Sequence, residues 1–112
     1  MPAVEFPFVK MEGCGNDYVY LDAGLTEDAV DTASLGPVSE LTRRLADRHT
    51  GIGGDGLILV SRDGARARMR MWNADGSEGK LCLNGLRCAA KLALQSCPDL
   101  GPRFAMETAA GE

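Results

Sequence analysis

The sequence predicts an α+β fold, on two observations. Short runs rich in aromatic and β-branched residues recur between glycine-based turn signals, and two longer runs carry apolar residues at helical spacing. With 112 residues, one domain is the default, and a chain of that size can bury a modest core.

Phe6–Met11 and Tyr18–Asp22 read as strands around the turn signal Gly13-Cys14-Gly15-Asn16-Asp17. Leu25–Pro37 is mixed and acidic, a loop with a short helical turn. Val38–Arg48 places Val38, Leu41 and Leu45 on one face, which predicts an amphipathic helix ended by Gly51. Gly51–Gly56 is a loop and Leu57–Ser61 a short apolar strand. Asp63-Gly64 is a hairpin-turn signal leading into the strand Arg66–Trp72. Asn84–Gln95 is a second helix; Leu86, Ala89, Ala90, Ala93 and Leu94 leave it little polarity, which predicts burial. Pro98 stops it, and Arg103–Thr108 reads as a last strand.

A net charge of −4 argues against a nucleic-acid partner, which would need clustered cations. Arg66, Arg68 and Arg70 do cluster, yet they alternate with Ala67, Met69 and Met71, the pattern of one solvated strand face. No apolar run approaches the ~20 residues that span a bilayer. The N-terminus lacks a basic region followed by an apolar stretch. A cytoplasmic location without membrane contact is therefore expected, with Cys14, Cys82, Cys88 and Cys97 as free thiols. No Cys-x-x-Cys pair occurs and His49 is the only histidine, so no metal site is expected.

Residues 73–88 carry the chemistry: a glycine-punctuated loop, then Cys82, then the start of a helical run. Backbone N–H groups and the dipole at a helix start favour negative charge. A free thiol titrates near pH ~8.5, and such a position lowers it toward neutrality. Cys82 can then exchange a proton while the same N–H groups hold a carboxylate. From the residue alone, an inert buried thiol is the ordinary reading; the loop-then-helix position reverses it. Cys88 lies within the helix and Cys97 at its exit, both positions for packing. Asn16, Asn73 and Asn84 have amides that donate and accept, although asparagine also serves turns and helix caps, the latter a competing role for Asn84. Asp75, Gly76 and Ser77 read as loop-shaping residues. His49 reads as a contact at a helix C-terminus. Gly51–Gly56 lacks the Lys-Ser/Thr ending of a P-loop and reads as a structural turn.

Three segments together resemble the diaminopimelate epimerase family: Lys10-Met11-Glu12-Gly13-Cys14-Gly15-Asn16-Asp17-Tyr18-Val19, Asp47-Arg48-His49-Thr50-Gly51-Ile52-Gly53-Gly54-Asp55-Gly56-Leu57, and Met71-Trp72-Asn73-Ala74-Asp75-Gly76-Ser77-Glu78 continuing to Cys82-Leu83-Asn84-Gly85-Leu86-Arg87-Cys88. Each alone is weak; their order and spacing over residues 6–112 make the match specific. The resemblance implies a fold of two similar halves, each a curved, mostly antiparallel sheet wrapped around a central helix, with the active site between them. Residues 1–112 would then be a truncated N-terminal half-domain. Asn84–Gln95 would be its central helix and Cys82 its catalytic cysteine, with the second cysteine beyond Glu112. The implied reaction interconverts LL- and meso-diaminopimelate in lysine biosynthesis without cofactor or metal: one thiolate abstracts the α-proton and a thiol on the opposite face donates one. Asn16, Asn73 and Asn84 match substrate-binding positions, as does the backbone N–H of Leu83. Cys14 occupies a variable position of the motif. The full-length form is expected to be a homodimer, and the isolated chain to have little or no activity. Two departures stand out: Leu83 replaces the usual glycine after the cysteine, and Glu12 stands where histidine is common. The alternatives are a proline racemase-like or phenazine-biosynthesis-type isomerase, the latter using a carboxylate, or a non-catalytic small-molecule-binding or interaction relic.

Overall fold

A computed structural model describes residues 8–13, 15–27, 29–30, 36–49, 51–79, 82–100 and 105–108. Chain order is β1 (Val9–Gly13), β2 (Asn16–Gly24), α1 (Val38–Ala46), β3 (Gly56–Asp63), β4 (Arg66–Asn73), β5 (Glu78–Gly79), α2 (Leu83–Ser96), a 3₁₀ turn (Pro98–Leu100) and β6 (Met106–Glu107). The strands form one open, curved sheet in the order β1-β2-β3-β4-β5, with β6 also on β4. The β1–β2, β3–β4 and β4–β5 ladders are antiparallel; β2–β3 and β4–β6 are parallel. The expected α+β class and mostly antiparallel sheet are both found.

The parallel β2–β3 pair has a simple cause. Parallel neighbours need a crossover connection, and the stretch carrying α1 supplies it. Its helix lies on one face of the sheet, where Leu41 packs with Val19, Leu21, Leu57, Leu59 and Trp72. On the opposite face α2 packs through Ala89, Ala93 and Cys97 onto Tyr18, Tyr20, Ile58, Val60, Met69 and Met71. Alternation decides which strand residue serves which layer. In β4, Ala67, Met69 and Met71 are buried toward α2, while Arg66, Arg68 and Arg70 are exposed. The solvated arginine face is therefore present. Arg68 pairs with Glu107 and Arg70 with Glu78, and the Arg70 guanidinium lies 4.8 Å from the Trp72 ring centroid.

Several boundaries differ from expectation. β2 starts at Asn16 and β3 at Gly56, because backbone pairing runs past the apolar residues that flag a strand. α1 ends at Ala46, short of Arg48 and of Gly51. The N–H groups of Gly51, Gly53 and Gly54 donate to the carbonyls of Asp47, Leu45 and Ala46 at 2.9–3.1 Å. That glycine loop closes the helix end by folding back on it, as a structural turn would. α2 is buried on one face only: Ala89 and Ala93 are fully covered, Arg87 and Lys91 are exposed, and Leu94 is 39% exposed. The last strand is β6, two residues long; residues 103–104 and Phe6–Pro7 of the expected strands lie outside the described residues.

Candidate active site

The site is assembled by register. Tyr18 of β2 pairs with Gly56 of β3, and Gly56 with Asn73 of β4. The starts of β2 and β3 and the end of β4 thus share one end of the sheet. Asn16 is two residues before Tyr18, and Asn73 two after Met71. Both therefore lie on the α2 face by strand periodicity. β3 and β4 can meet so closely there because Gly56 has no side chain: a Cβ would sit 2.0 Å from the Trp72 carbonyl oxygen.

The N-terminus of α2 arrives at this same end. Cys82 is the N-cap, with extended backbone (φ −131°, ψ 116°), and its carbonyl accepts from the Leu86 N–H at 2.8 Å. The N–H groups of Leu83, Asn84 and Gly85 precede the first such bond, so they have no acceptor one turn back within the helix. The Cys82 side chain is half-buried, and no side chain caps the helix. The capping role considered for Asn84 is therefore not the one adopted: Asn84 is the second helical residue, and its Nδ2 donates to Asn16 Oδ1 at 2.9 Å. Asn16 retains its amide donors in that pair and Asn84 its carbonyl acceptor.

Asn73 is exposed at the mouth of a self-closed loop. Its backbone N–H donates to the Ser77 carbonyl at 2.8 Å and its Nδ2 to Ser77 Oγ at 3.1 Å. Ser77 in turn donates through N and Oγ to Asp75 Oδ1 at 2.9 and 2.6 Å, and these bonds to Ser77 hold the Asp75 carboxyl below its ordinary range. Asp75 and Ser77 thus shape the loop, and Asn73 Oδ1 keeps its acceptor capacity.

Two features escaped the sequence reading. The first is the way β2 holds the helix start. Tyr20 Oη donates to the Gly85 carbonyl at 3.1 Å, in the buried interior. Tyr18, one step nearer the site on the same face, is buried, and Cys82 packs against the cluster it belongs to. Burial pushes the Tyr18 phenol well above its ordinary value. The signal was present: Asn16, Tyr18 and Tyr20 recur at the strand period. The second is an ion cluster beside the hairpin. Asp17 receives Arg48 at 2.9 Å and Lys10 at 3.1 Å. Asp17 N donates to Asp55 Oδ2 at 2.9 Å and Asp55 N to the Asp17 carbonyl, fixing β2 to the loop before β3. The bond from Arg48, with Lys10 adding to it, holds the Asp17 carboxyl far below its ordinary range.

The remaining candidates are placed as follows. Cys88 is half-buried in α2, and Cys97 is buried with its Sγ–H donating to the Leu25 carbonyl at 3.1 Å; both pack. His49 is exposed beyond the end of α1, its backbone N–H donating to Asp47 Oδ1 at 2.7 Å. Glu12 ends exposed on β1. Cys14 and the Leu83 side chain lie outside the described residues. Among the described residues no helix is long and apolar enough to cross a membrane.

Comparison with known proteins bears on this arrangement directly. A sequence model of the family described as diaminopimelate epimerase matches residues 8–112. The diaminopimelate epimerase of Desulfovibrio desulfuricans is 42% identical over 110 residues, covering 97% of this chain and 36% of that protein. That of Geobacillus kaustophilus is 45% identical over 107 residues, 95% of this chain and 35% of the relative. The chain thus spans about a third of the length of the curated relatives it matches. Among solved structures, a putative phenazine biosynthesis PhzC/PhzF protein from Clostridium difficile superposes with a TM-score of 0.54 at 16% identity, covering 87% of this chain and 32% of that one. That likeness concerns the fold alone. On the match of the family model over residues 8–112, the chain belongs to the diaminopimelate epimerase family.

Proposed function

We propose that this chain is the N-terminal, cysteine-bearing portion of an enzyme that interconverts LL- and meso-diaminopimelate by two-base proton transfer without a cofactor. Cys82 is the base on one face of the α-carbon; a second cysteine, on the part of the protein that completes the cleft, serves the other. Asn16, Asn73 and Asn84 hold the amino-acid portion of the substrate, and the Leu83 N–H with its helical neighbours holds the carboxylate. The observation that supports this most is the meeting of Cys82, at the helix start, with the Asn16–Asn84 pair at the sheet end that β4 brings Asn73 to.

The chemistry follows from that placement. Removing the α-proton builds negative charge that spreads into the carboxylate. Fixed N–H donors at the helix start stabilise it more in the reacting state than in the bound substrate. Removing one such donor in other acyl-type sites costs about 10²–10³ in rate. Two thiols exchanging one proton titrate as a pair, so activity should follow a bell-shaped pH profile. A PhzF-like reading is less well supported, since the Asn-Ala-Asp-Gly-Ser-Glu run and Cys82 both match the epimerase segments.

The test is α-proton exchange of diaminopimelate in deuterated water, using a full-length protein that contains this segment. Cys82→Ser should lower exchange by at least about 10³, because the hydroxyl is a far weaker acid and its alkoxide is not populated near neutral pH. Exchange by Cys82→Ser at the parent rate would refute the assignment. The 112-residue chain alone should show no more than trace exchange, since it supplies one base of the two.

A further inference from the structure

We propose that Asp55 is a positioning residue: from the loop before β3 it clamps Asp17 of β2 to Ala74 just after β4, and so fixes the spacing of their neighbours Asn16 and Asn73. This rests on the reading of those two asparagines as substrate contacts. The Asp55 N–H donates to the Asp17 carbonyl at 2.6 Å, and the Asp17 N–H donates back to Asp55 Oδ2 at 2.9 Å. The Asp55 carbonyl accepts from the Ala74 N–H at 2.9 Å. Arg48 spans both carboxylates: its Nη1 and Nη2 donate to Asp17 Oδ2 and Oδ1 at 3.2 and 2.9 Å, and Nη2 lies 3.5 Å from Asp55 Oδ1.

The clamp stands behind the site, not in it. Asp17 is two residues before Val19, so strand periodicity puts its side chain on the α1 face, opposite to Asn16. The loop carrying Asp55 is seated on α1, where the N–H groups of Gly53 and Gly54 donate to the Leu45 and Ala46 carbonyls at 2.9 and 3.1 Å. Gly54 permits the close approach to β2: a Cβ there would lie 3.2 Å from the Asp17 carbonyl oxygen. On the site face, Asn16 is tied to α2 through Asn84, and Asn73 to its own loop through Ser77. Those two bonds do not set one asparagine against the other. Beyond the ladders at Gly56, Asp55 is the residue that bonds to the chain neighbour of each. A ligand held by both asparagines therefore meets a spacing that Asp55 sets.

The experiment uses a full-length protein that contains this segment, with isotope-labelled asparagine. Asp55→Ala removes the acceptor for the Asp17 N–H and the contact with Arg48, whereas Asp55→Asn keeps an oxygen for that N–H. Asp55→Ala should move the side-chain amide NMR signals of both Asn16 and Asn73, and Asp55→Asn should return both toward the parent positions. The KM for diaminopimelate should rise about tenfold in Asp55→Ala, the equivalent of one hydrogen bond, with kcat changed less than about twofold and most of the loss recovered in Asp55→Asn. Arg48→Met is the milder variant, usable if Asp55→Ala does not fold. It leaves the bonds of Asp55 to Asp17 and Ala74 in place and releases both carboxylates, so the same two signals should move and KM rise about threefold. Unmoved Asn16 and Asn73 signals would overturn the proposal. So would a fall in kcat at constant KM, the mark of a smaller folded fraction. The amide signals need no turnover: should Cys82→Ser exchange at the parent rate, the epimerase reading falls, and these signals still decide whether Asp55 sets the two asparagines.

Discussion

Gly56→Ala should be among the most damaging single-methyl additions in the molecule. The new Cβ would lie 2.0 Å from the Trp72 carbonyl oxygen, 3.0 Å from its carbon and 3.2 Å from Asn73 Cα. All three are backbone atoms of the paired strand, so no side-chain rotation relieves the contact. Restoring an ordinary separation of about 3.4 Å would move β4 away from β3 by more than an ångström, against an interstrand spacing of about 4.8 Å. That displacement breaks the ladder at Gly56–Asn73 and strains the Ala74 N–H bond to the Asp55 carbonyl, 2.9 Å long in the parent. Two lost hydrogen bonds at about 1 kcal/mol each, with about 1–3 kcal/mol for overpacking, come to about 3–5 kcal/mol. Typical domains hold only about 5–15 kcal/mol in total. In urea, with a slope of about 1–3 kcal/mol/M, the midpoint should fall by about 2 M at constant slope. Gly64→Ala is the control. Gly64 has φ +61° with nothing within 4 Å of its Cβ position, so only backbone strain of about 1 kcal/mol is expected. A Gly56→Ala midpoint equal to that of Gly64→Ala would refute the close-approach argument.

Three further outcomes follow from the same geometry. Asn16→Ala and Asn84→Ala should each destabilise by about 1 kcal/mol, and the double variant by less than their sum, since both remove one bond; an additive cycle in urea denaturation would show the pair to be uncoupled. Asp17 has a depressed folded-state pKa, so its contribution is full above the ordinary carboxylate value near ~4 and is lost as pH falls below it. Asp17→Asn should therefore flatten the stability curve on the acid side of pH ~4, and an unchanged acid limb would count against the Arg48–Lys10 cluster. On α2, Ala93→Leu should cost about 1–3 kcal/mol by overpacking the sheet layer, while Lys91→Leu should leave the thermal midpoint nearly unmoved; equal effects would contradict the one-sided burial of this helix.

Much of the architecture was legible because its determinants are local. The alternation of arginine with Ala67, Met69 and Met71 predicted both faces of β4, and Asp63-Gly64 its hairpin. Val38, Leu41 and Leu45 predicted the buried side of α1. Boundaries were less legible, because hydrogen-bonded pairing extends to polar residues such as Asn16 and Asn73 that carry no hydrophobic signal. The short β5 strand escaped for a related reason: Glu78-Gly79 pairs with Met71 and Trp72 through backbone alone. The placement of Cys82 at a helix start was legible from the loop-then-helix pattern. The Asn16–Asn84 bond was not, since it joins residues 68 apart in sequence. Tyr18 was missed because a tyrosine in an apolar run reads as core. It is core by burial, and the fold sets its ring edge beside Gly85 at the helix start.

The parallel β2–β3 pair is what makes a single site possible. In a sheet of successive hairpins, β3 would run opposite to β2 and β4 along it. Asn16 at the start of β2 and Asn73 at the end of β4 would then stand at opposite ends, separated by the length of an eight- or nine-residue strand, roughly 27–30 Å. Inserting α1 as a crossover reverses β3, so that the start of β2, the start of β3 and the end of β4 coincide at Tyr18–Gly56–Asn73. Only then does the chain leaving β4 need just the short stretch through β5 to deliver Cys82 to the same edge. The crossover carrying α1 thus contributes to the site by setting the direction of β3. Shortening that crossover until β2 and β3 pair antiparallel would abolish the Asn16–Asn84 contact even with every site residue retained.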